Sequence, residues 1–236
     1  KLAAGFLCGG TANRQLYKYY GVPEEKLVSF AYSWGYESYF GISEKLLPQR
    51  TRLMEEMGIP ENSFVILFVG RLSPGKGLLE LMEAFEKAHI PNKVLLLVGD
   101  GELKGELQKY VAEHNLDSVY FAGFQQRHSV PKFYVMSDVL ALPSHRETWG
   151  IVVSEAMCFR LPLIVSNQVG ARPDMVEEGR NGYVVPAANA KALTESLENL
   201  AGLPEEERKA MGNRSYEIIL EWTDRDVLRH LVEHFD

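Results

Sequence analysis

From residue 64 onward the chain is marked by six short, nearly unbroken apolar runs: Phe64–Val69, Val94–Val98, Val119–Phe121, Val139–Leu142, Leu163–Val165 and Tyr183–Val185. Between them, apolar residues recur every three or four positions. That spacing predicts helices over roughly 78–88, 102–114, 130–136, 150–159, 172–178 and 189–200, with two more over 205–220 and 224–235. Strands without polar alternation are buried on both faces, and strands that alternate with helices build a parallel sheet. The expected fold is therefore α/β: a Rossmann-like, doubly wound parallel sheet whose ligands lie at the C-terminal ends of the strands.

Residues 1–48 break this rhythm. Thr11–Tyr20 reads as one helix stopped by Gly21 and Pro23, Leu27–Ala31 as a short strand, and Trp34–Phe40 as an irregular, aromatic-rich segment. So short a stretch is too small to build its own core and is expected to pack on the main domain. The expected division is a remnant of another domain and linker over 1–48, a ligand-binding domain over 49–222, and a closing helix over 223–236.

Composition narrows the function classes. Of 236 residues, 46% are hydrophobic and 24% charged, as in ordinary globular proteins, and the net charge is -7. An acidic chain is not expected to bind nucleic acid, and membrane contact is expected only as a peripheral contact through another domain. No 18-residue apolar run or leader pattern is present. Cys8 and Cys158 lack metal-ligand spacing and are expected as reduced thiols in a cytoplasmic protein. His230 and His234 are spaced i, i+4 but lack the acidic companions of a metal site, so no metal is expected. The chain begins with Lys1 in mid-pattern, as a piece of a longer protein would.

The candidate chemistry sits in the loops after the apolar runs. Gly70-Arg-Leu-Ser-Pro-Gly-Lys-Gly77 follows the first run and opens a helix. It places Arg71, a planar fork, and Lys76, a point charge, where a diphosphate would lie. The spacing is not that of a Walker A loop. Gly99-Asp-Gly101 follows the second run, and Gly123-Phe124 the third, where Phe124 stacks on a base or belongs to the core. After the fourth comes Glu147-Thr-Trp-Gly-Ile-Val-Val-Ser-Glu155, two carboxylates separated by seven residues, with Gly150 opening a helix. A helix N-terminus attracts anions, whereas two acids repel a bare phosphate. The combination suits a ligand with hydroxyls beside its phosphates, a nucleotide-sugar. Glu155, flanked by Val152, Val153, Ala156 and Met157, requires a partner or a ligand if its helix is buried. Val169-Gly170-Ala171 follows the fifth run and is expected to bring backbone N–H groups to the donor.

Taken together, these pieces resemble the C-terminal, donor-binding domain of the family-four (group 1) retaining glycosyltransferases of GT-B fold. The matching residues are Phe68-Val-Gly-Arg-Leu72, Lys76-Gly77, Val98-Gly-Asp-Gly101, Phe121-Ala-Gly123, Ser137-Asp138, Leu142-Pro-Ser144, Glu147-Thr-Trp-Gly150, Glu155-Ala-Met157, Pro162, Gly170-Ala171, Asn181-Gly182 and Val185-Pro186. The resemblance implies one GT-B half, with 1–48 left over from the other.

The implied reaction is metal-independent, cofactor-free transfer of a sugar from a nucleotide-diphosphate sugar, with retention, to a sugar or lipid-linked acceptor in a missing domain. The chain itself would be a truncated, inactive fragment of an enzyme of polysaccharide biosynthesis. The implied catalytic residues are Glu147, at the transferred sugar, and Arg71 and Lys76, at the diphosphate. The implied donor contacts are Gly70, Arg71, Lys76, Gly99, Gly123, Phe124, Glu147, Thr148, Trp149, Gly150, Ile151, Val152, Glu155 at the ribose, and Gly170. Three positions depart from the pattern. Arg160 stands where Gly is usual, Asp174 where Glu is usual, and Tyr32–Glu37 in place of Asn-Gly-Val-Asp. The alternative is a non-catalytic nucleotide-sugar-binding module. A dinucleotide-dependent oxidoreductase is disfavoured because no Gly-x-Gly-x-x-Gly follows any run.

Overall fold

The computed structural model describes residues 5–30 and 36–222. Two strands, β1 (Phe6–Cys8) and β2 (Leu27–Ser29), pair in parallel and are joined by helix α1 (Thr11–Tyr19). Helices α2 (Tyr36–Leu46) and α3 (Arg50–Glu56) lead into the main sheet. Its strands are β3 (Phe64–Val69), β4 (Lys93–Val98), β5 (Val119–Gly123), β6 (Val139–Leu142), β7 (Leu163–Ser166) and β8 (Gly182–Val185). The helices between and after them are α4 (Leu78–Lys87), α5 (Lys104–Glu113), α6 (Pro131–Met136), α7 (Ile151–Cys158), α8 (Arg172–Met175), α9 (Ala190–Gly202) and α10 (Glu205–Leu220).

The sheet order is β5-β4-β3-β6-β7-β8 and every pairing is parallel. Helices α4, α5 and α9 pack together, as do α2, α3, α6, α7 and α10. This gives the helix–sheet–helix sandwich that unbroken apolar strands require. All six residues of β3 are buried, as a central strand covered on both sides should be. The chain order reverses direction between β3 and β6, so the loops that leave these two neighbours diverge and open a crevice at their C-terminal ends.

One expectation for the first 48 residues needs correction. Trp34–Phe40 is not irregular from its third residue on. Tyr36 begins α2, and Tyr36 and Tyr39 bury in the same core as the sheet. The aromatic clustering hid a helix because its inward face is carried by tyrosines instead of aliphatic residues. Phe6–Cys8 is a strand too short to show a period, and α3 was not predicted. The closing helix over 223–236, with His230 and His234, lies outside the described residues.

Asp174 ties the N-terminal unit to the main domain. Asp174 of α8 accepts the backbone N–H (2.9 Å) and the hydroxyl (2.6 Å) of Thr11, the first residue of α1. A carboxylate at a helix N-terminus satisfies otherwise unpaired N–H groups. The shorter Asp thus has a partner suited to it. Arg160 adopts a left-handed backbone at φ 58, the conformation glycine usually supplies after a helix. Its guanidinium lies 3.9 Å above the ring of Tyr216 and donates to Asn213 Oδ1 at 3.0 Å, contacts that offset the backbone strain.

A half-buried lysine closes α4. Lys93, the first residue of β4, donates to the carbonyls of Phe85, Glu86 (3.0 Å) and Ala88 (2.5 Å) at the helix's C-terminal end. Burial holds its pKa below the ordinary value. Lys93→Met keeps the apolar stem but leaves these carbonyls without their cation. The expected loss is about 1–2 kcal/mol of stability, read as a lower denaturant midpoint with unchanged slope. An unchanged midpoint would refute the capping role.

Candidate functional site

The two loops that leave the β3/β6 crevice carry the charged residues of the site. After β3, residues 70–77 fold into a short turn (Pro74–Lys76) ending at Gly77. After β6, residues 143–150 run to the start of α7. The loops are joined by the His145 N–H, which donates to Gly75 O at 2.9 Å, and the His145 side chain lies 2.8 Å from that of Glu80 in the first turn of α4. This brings Lys76 and Glu147 into a direct ion pair, both largely shielded from solvent. Glu147 is held from behind as well, since its N–H donates to Gln168 O and its carbonyl accepts from Gly170 N–H.

The ion pair lies in a groove of about 620 Å³. One wall contains Val69, Gly70, Lys76 and the run from Glu147 through Thr148, Trp149, Gly150 and Ile151 to Val152. The last two residues form the first turn of α7, so the positive end of a helix faces the groove. The opposite wall comes from the N-terminal unit: Leu7, Gly9, Asn13 and Phe30. Asn13 Oδ1 accepts the Gly9 N–H at 3.1 Å. These four residues were missed by sequence reasoning, because nothing in a three-residue strand and an amphipathic helix signals that they will face a loop some 140 residues away.

A second groove, of about 450 Å³, shares Val69 and Gly70 with the first. It runs along the ends of β3, β4 and β5, past Arg71, Gly99, Asp100, Gly101, Phe124, Gln125 and Val130. Arg71 is exposed, and its side chain has no ion pair or hydrogen bond among the described residues. Phe124 is 75% exposed, which removes the core alternative and leaves an aromatic face open at the groove. Gly123 ends β5 without lining this groove, and its carbonyl accepts the Gly99 N–H at 2.9 Å.

Two residues differ from expectation in what they do. Gly170 does not hold its N–H out for a ligand, since that group already donates to Glu147 O at 2.9 Å, and the Ala171 N–H donates to Trp149 O. The glycine is needed instead for close approach: a Cβ there would lie 1.9 Å from Thr148 O. Glu155, one turn further along α7, lines neither groove and is 9% exposed. The partner that a buried carboxylate requires is supplied by the protein: Tyr39 donates to Oε1 at 3.0 Å and Tyr134 to Oε2 at 2.7 Å. Burial pushes the Glu155 pKa up, against the pull of Tyr134, Tyr39 and Arg127. Neither tyrosine was singled out from sequence. Tyr39 lay in the segment read as irregular, and Tyr134 in a helix that showed only apolar periodicity.

Among the described residues no three His, Cys, Asp or Glu side chains cluster as metal ligands would, and no helix is long and apolar enough to cross a membrane.

The family model described as glycosyl transferases group 1 matches residues 49–218. The chain is 32% identical over 174 residues to N-acetyl-alpha-D-glucosaminyl L-malate synthase of Bacillus anthracis, covering 72% of this chain and 44% of that protein. It is 29% identical over 160 residues to alpha-D-kanosaminyltransferase of Streptomyces kanamyceticus, covering 66% of this chain and 41% of that one. It thus spans less than half the length of these curated relatives. Among solved structures, Anabaena HepE in complex with UDP superimposes with a TM-score of 0.84 at 21% identity, covering 98% of this chain and 63% of that one. The likeness shows the shared fold.

Proposed function

The chain belongs to the glycosyl transferases group 1 family, and from that premise we propose that it is the donor-binding part of a glycosyltransferase whose substrate is a nucleotide-diphosphate sugar. The observation that carries this reading is the meeting of Lys76, Glu147 and the first turn of α7 in one groove at the sheet's switch point. The second groove, with Arg71 and Phe124, continues from it. The base lies against the ends of β4 and β5 beside Phe124. The diphosphate lies over Gly70, between Arg71, Lys76 and the α7 N-terminus. The sugar reaches Glu147, whose carboxylate accepts its hydroxyls. The family resemblance gives the ribose to Glu155, one turn of α7 beyond the groove-lining Ile151 and Val152.

As the sugar–phosphate bond breaks, negative charge grows on the departing diphosphate. Lys76, Arg71 and the helix N-terminus are placed to stabilise it, which is how fixed charges and dipoles lower a barrier. Transfer with retention and without a metal follows from the family resemblance. The name of one relative gives such a donor: the UDP-Gal:alpha-D-GlcNAc-diphosphoundecaprenol alpha-1,3-galactosyltransferase of Escherichia coli, 36% identical over 147 residues. We assign the acceptor, a sugar or lipid-linked sugar, to the part of such proteins that this chain does not span. Leu7, Gly9, Asn13 and Phe30 form the near edge of that side.

The test is a panel of UDP, GDP and their sugar conjugates titrated against the chain by calorimetry and thermal melting. A ligand at a hundred times its Kd stabilises by about 2.7 kcal/mol, a rise of roughly 5–10 °C for a domain of this size. Glu155→Ala is expected to remove most of that rise. If no nucleotide shifts the melting temperature, the reading fails.

A further inference from the structure

The two tyrosines on Glu155 divide its carboxylate between them. Their hydroxyls take one oxygen each, Tyr39 on Oε1 and Tyr134 on Oε2. A carboxylate offers about four acceptor lone pairs, two on each oxygen. Each phenol has one proton to donate, so one acceptor position on each oxygen is left. A vicinal diol presents two O–H donors with matching spacing.

The rings are locked. Tyr134 is fully buried and stacks on Phe159 at 5.3 Å, and Tyr39 meets the same ring edge-on at 6.0 Å. Arg127 lies over the Tyr39 ring at 5.5 Å, and its Nε is 3.4 Å from the Tyr39 hydroxyl. Burial, and then the charge of Glu155, push the Tyr39 phenol up to about 12 and that of Tyr134 well above its ordinary value. Both therefore keep their protons, and remain donors, at neutral pH.

We propose that Tyr39 and Tyr134 are positioning residues for nucleotide recognition: they fix the plane of the Glu155 carboxylate so that its remaining acceptor positions receive the 2′- and 3′-hydroxyls of a ribose. The proposal rests on the reading of Glu155 as the ribose acceptor and adds how that acceptor is oriented. It makes Tyr39, on the helix that connects the N-terminal unit to the main sheet, a determinant of ribonucleotide selectivity. Removing either hydroxyl frees the carboxylate to turn about its side-chain bonds and removes a hydrogen bond that favours its charged form against burial.

The test compares the tighter-binding of UDP and GDP with its 2′-deoxy and 3′-deoxy analogues by calorimetry, using wild type, Y39F, Y134F and E155Q. The readout is the ratio of deoxy to ribo Kd, which a general loss of stability does not change. Wild type is expected to prefer the ribonucleotide by about tenfold or more, as a site built to bind a hydroxyl does. The ratio is expected to fall to within about threefold of unity in E155Q and to intermediate values in Y39F and Y134F. If both Tyr variants keep the wild-type ratio while E155Q loses it, the positioning role is overturned and the ribose reading survives. If E155Q keeps the ratio, or wild type shows none, both fall. Tighter ribonucleotide binding by Y39F also overturns the proposal, because Tyr39 would then obstruct the site rather than organise it. Should Y134F fail to fold, Y39F decides alone.

Discussion

Lys76→Met is expected to weaken nucleoside diphosphate binding by one to two orders of magnitude. A charge-assisted contact to phosphate in a shielded site contributes about 1.5–3 kcal/mol, a factor of roughly 10–150 in Kd. The loss has a second source specific to this fold. Lys76 neutralises Glu147, which the backbone of residues 168–170 holds at the groove. Without the lysine, a fixed carboxylate faces the phosphates.

A double-mutant cycle separates the two sources. Glu147→Gln in the Lys76→Met background is expected to recover part of the UDP affinity by removing the repulsion. Glu147→Gln alone is expected to weaken binding of the matching sugar conjugate more than binding of UDP, because the proposed partner of Glu147 is the sugar. Calorimetry with both ligands reads all four combinations. Equal UDP affinity in wild type and Lys76→Met would remove the lysine from the diphosphate site.

Gly99→Ala is expected to cause the largest loss of stability among the single changes considered. Gly99 follows β4 at φ 144, in the region that favours glycine, and a Cβ would lie 1.8 Å from the carbonyl oxygen of Gly70. That obstacle is backbone at the end of the adjacent central strand, so it has no side-chain rotamer by which to yield. Relief requires the ends of β3 and β4 to part, against the bonds from Gly70 N–H to Val98 O and from Gly99 N–H to Gly123 O, both 2.9 Å. A cost of about 3–5 kcal/mol is expected, with loss of nucleotide binding, since Gly70 belongs to both grooves. Gly105→Ala is the control: nothing lies within 4 Å of its Cβ position, and it sits in α5 with an ordinary backbone, so it should be neutral or stabilise by about 0.5–1 kcal/mol. Equal melting temperatures for the two variants would refute the close-packing argument.

The main sheet was legible because its physical signal is local. Strands buried on both faces must be apolar along their length, and the six runs coincide with β3–β8 to within two residues at each end. The main helices followed from three-to-four periodicity in the same way. Elements escaped where the signal was short or carried by residues of mixed character: β1, with three residues, and α2, whose inward face is built from Tyr36 and Tyr39.

For the site, the sequence by itself determined which residue types stand at the ends of which strands. Parallel order and the switch between β3 and β6 then made the meeting of the 70–77 and 143–150 loops a matter of topology. Only the tertiary structure decided the pairings that depend on distant segments. Lys76 neutralises Glu147 across 71 positions, Asp174 holds Thr11 across 163, and Tyr39 reaches Glu155 across 116. A side chain's local pattern records that it will be buried or charged. It does not record which partner the folded chain will place within hydrogen-bonding distance, because that partner is set by the packing of whole elements and not by any period along the sequence.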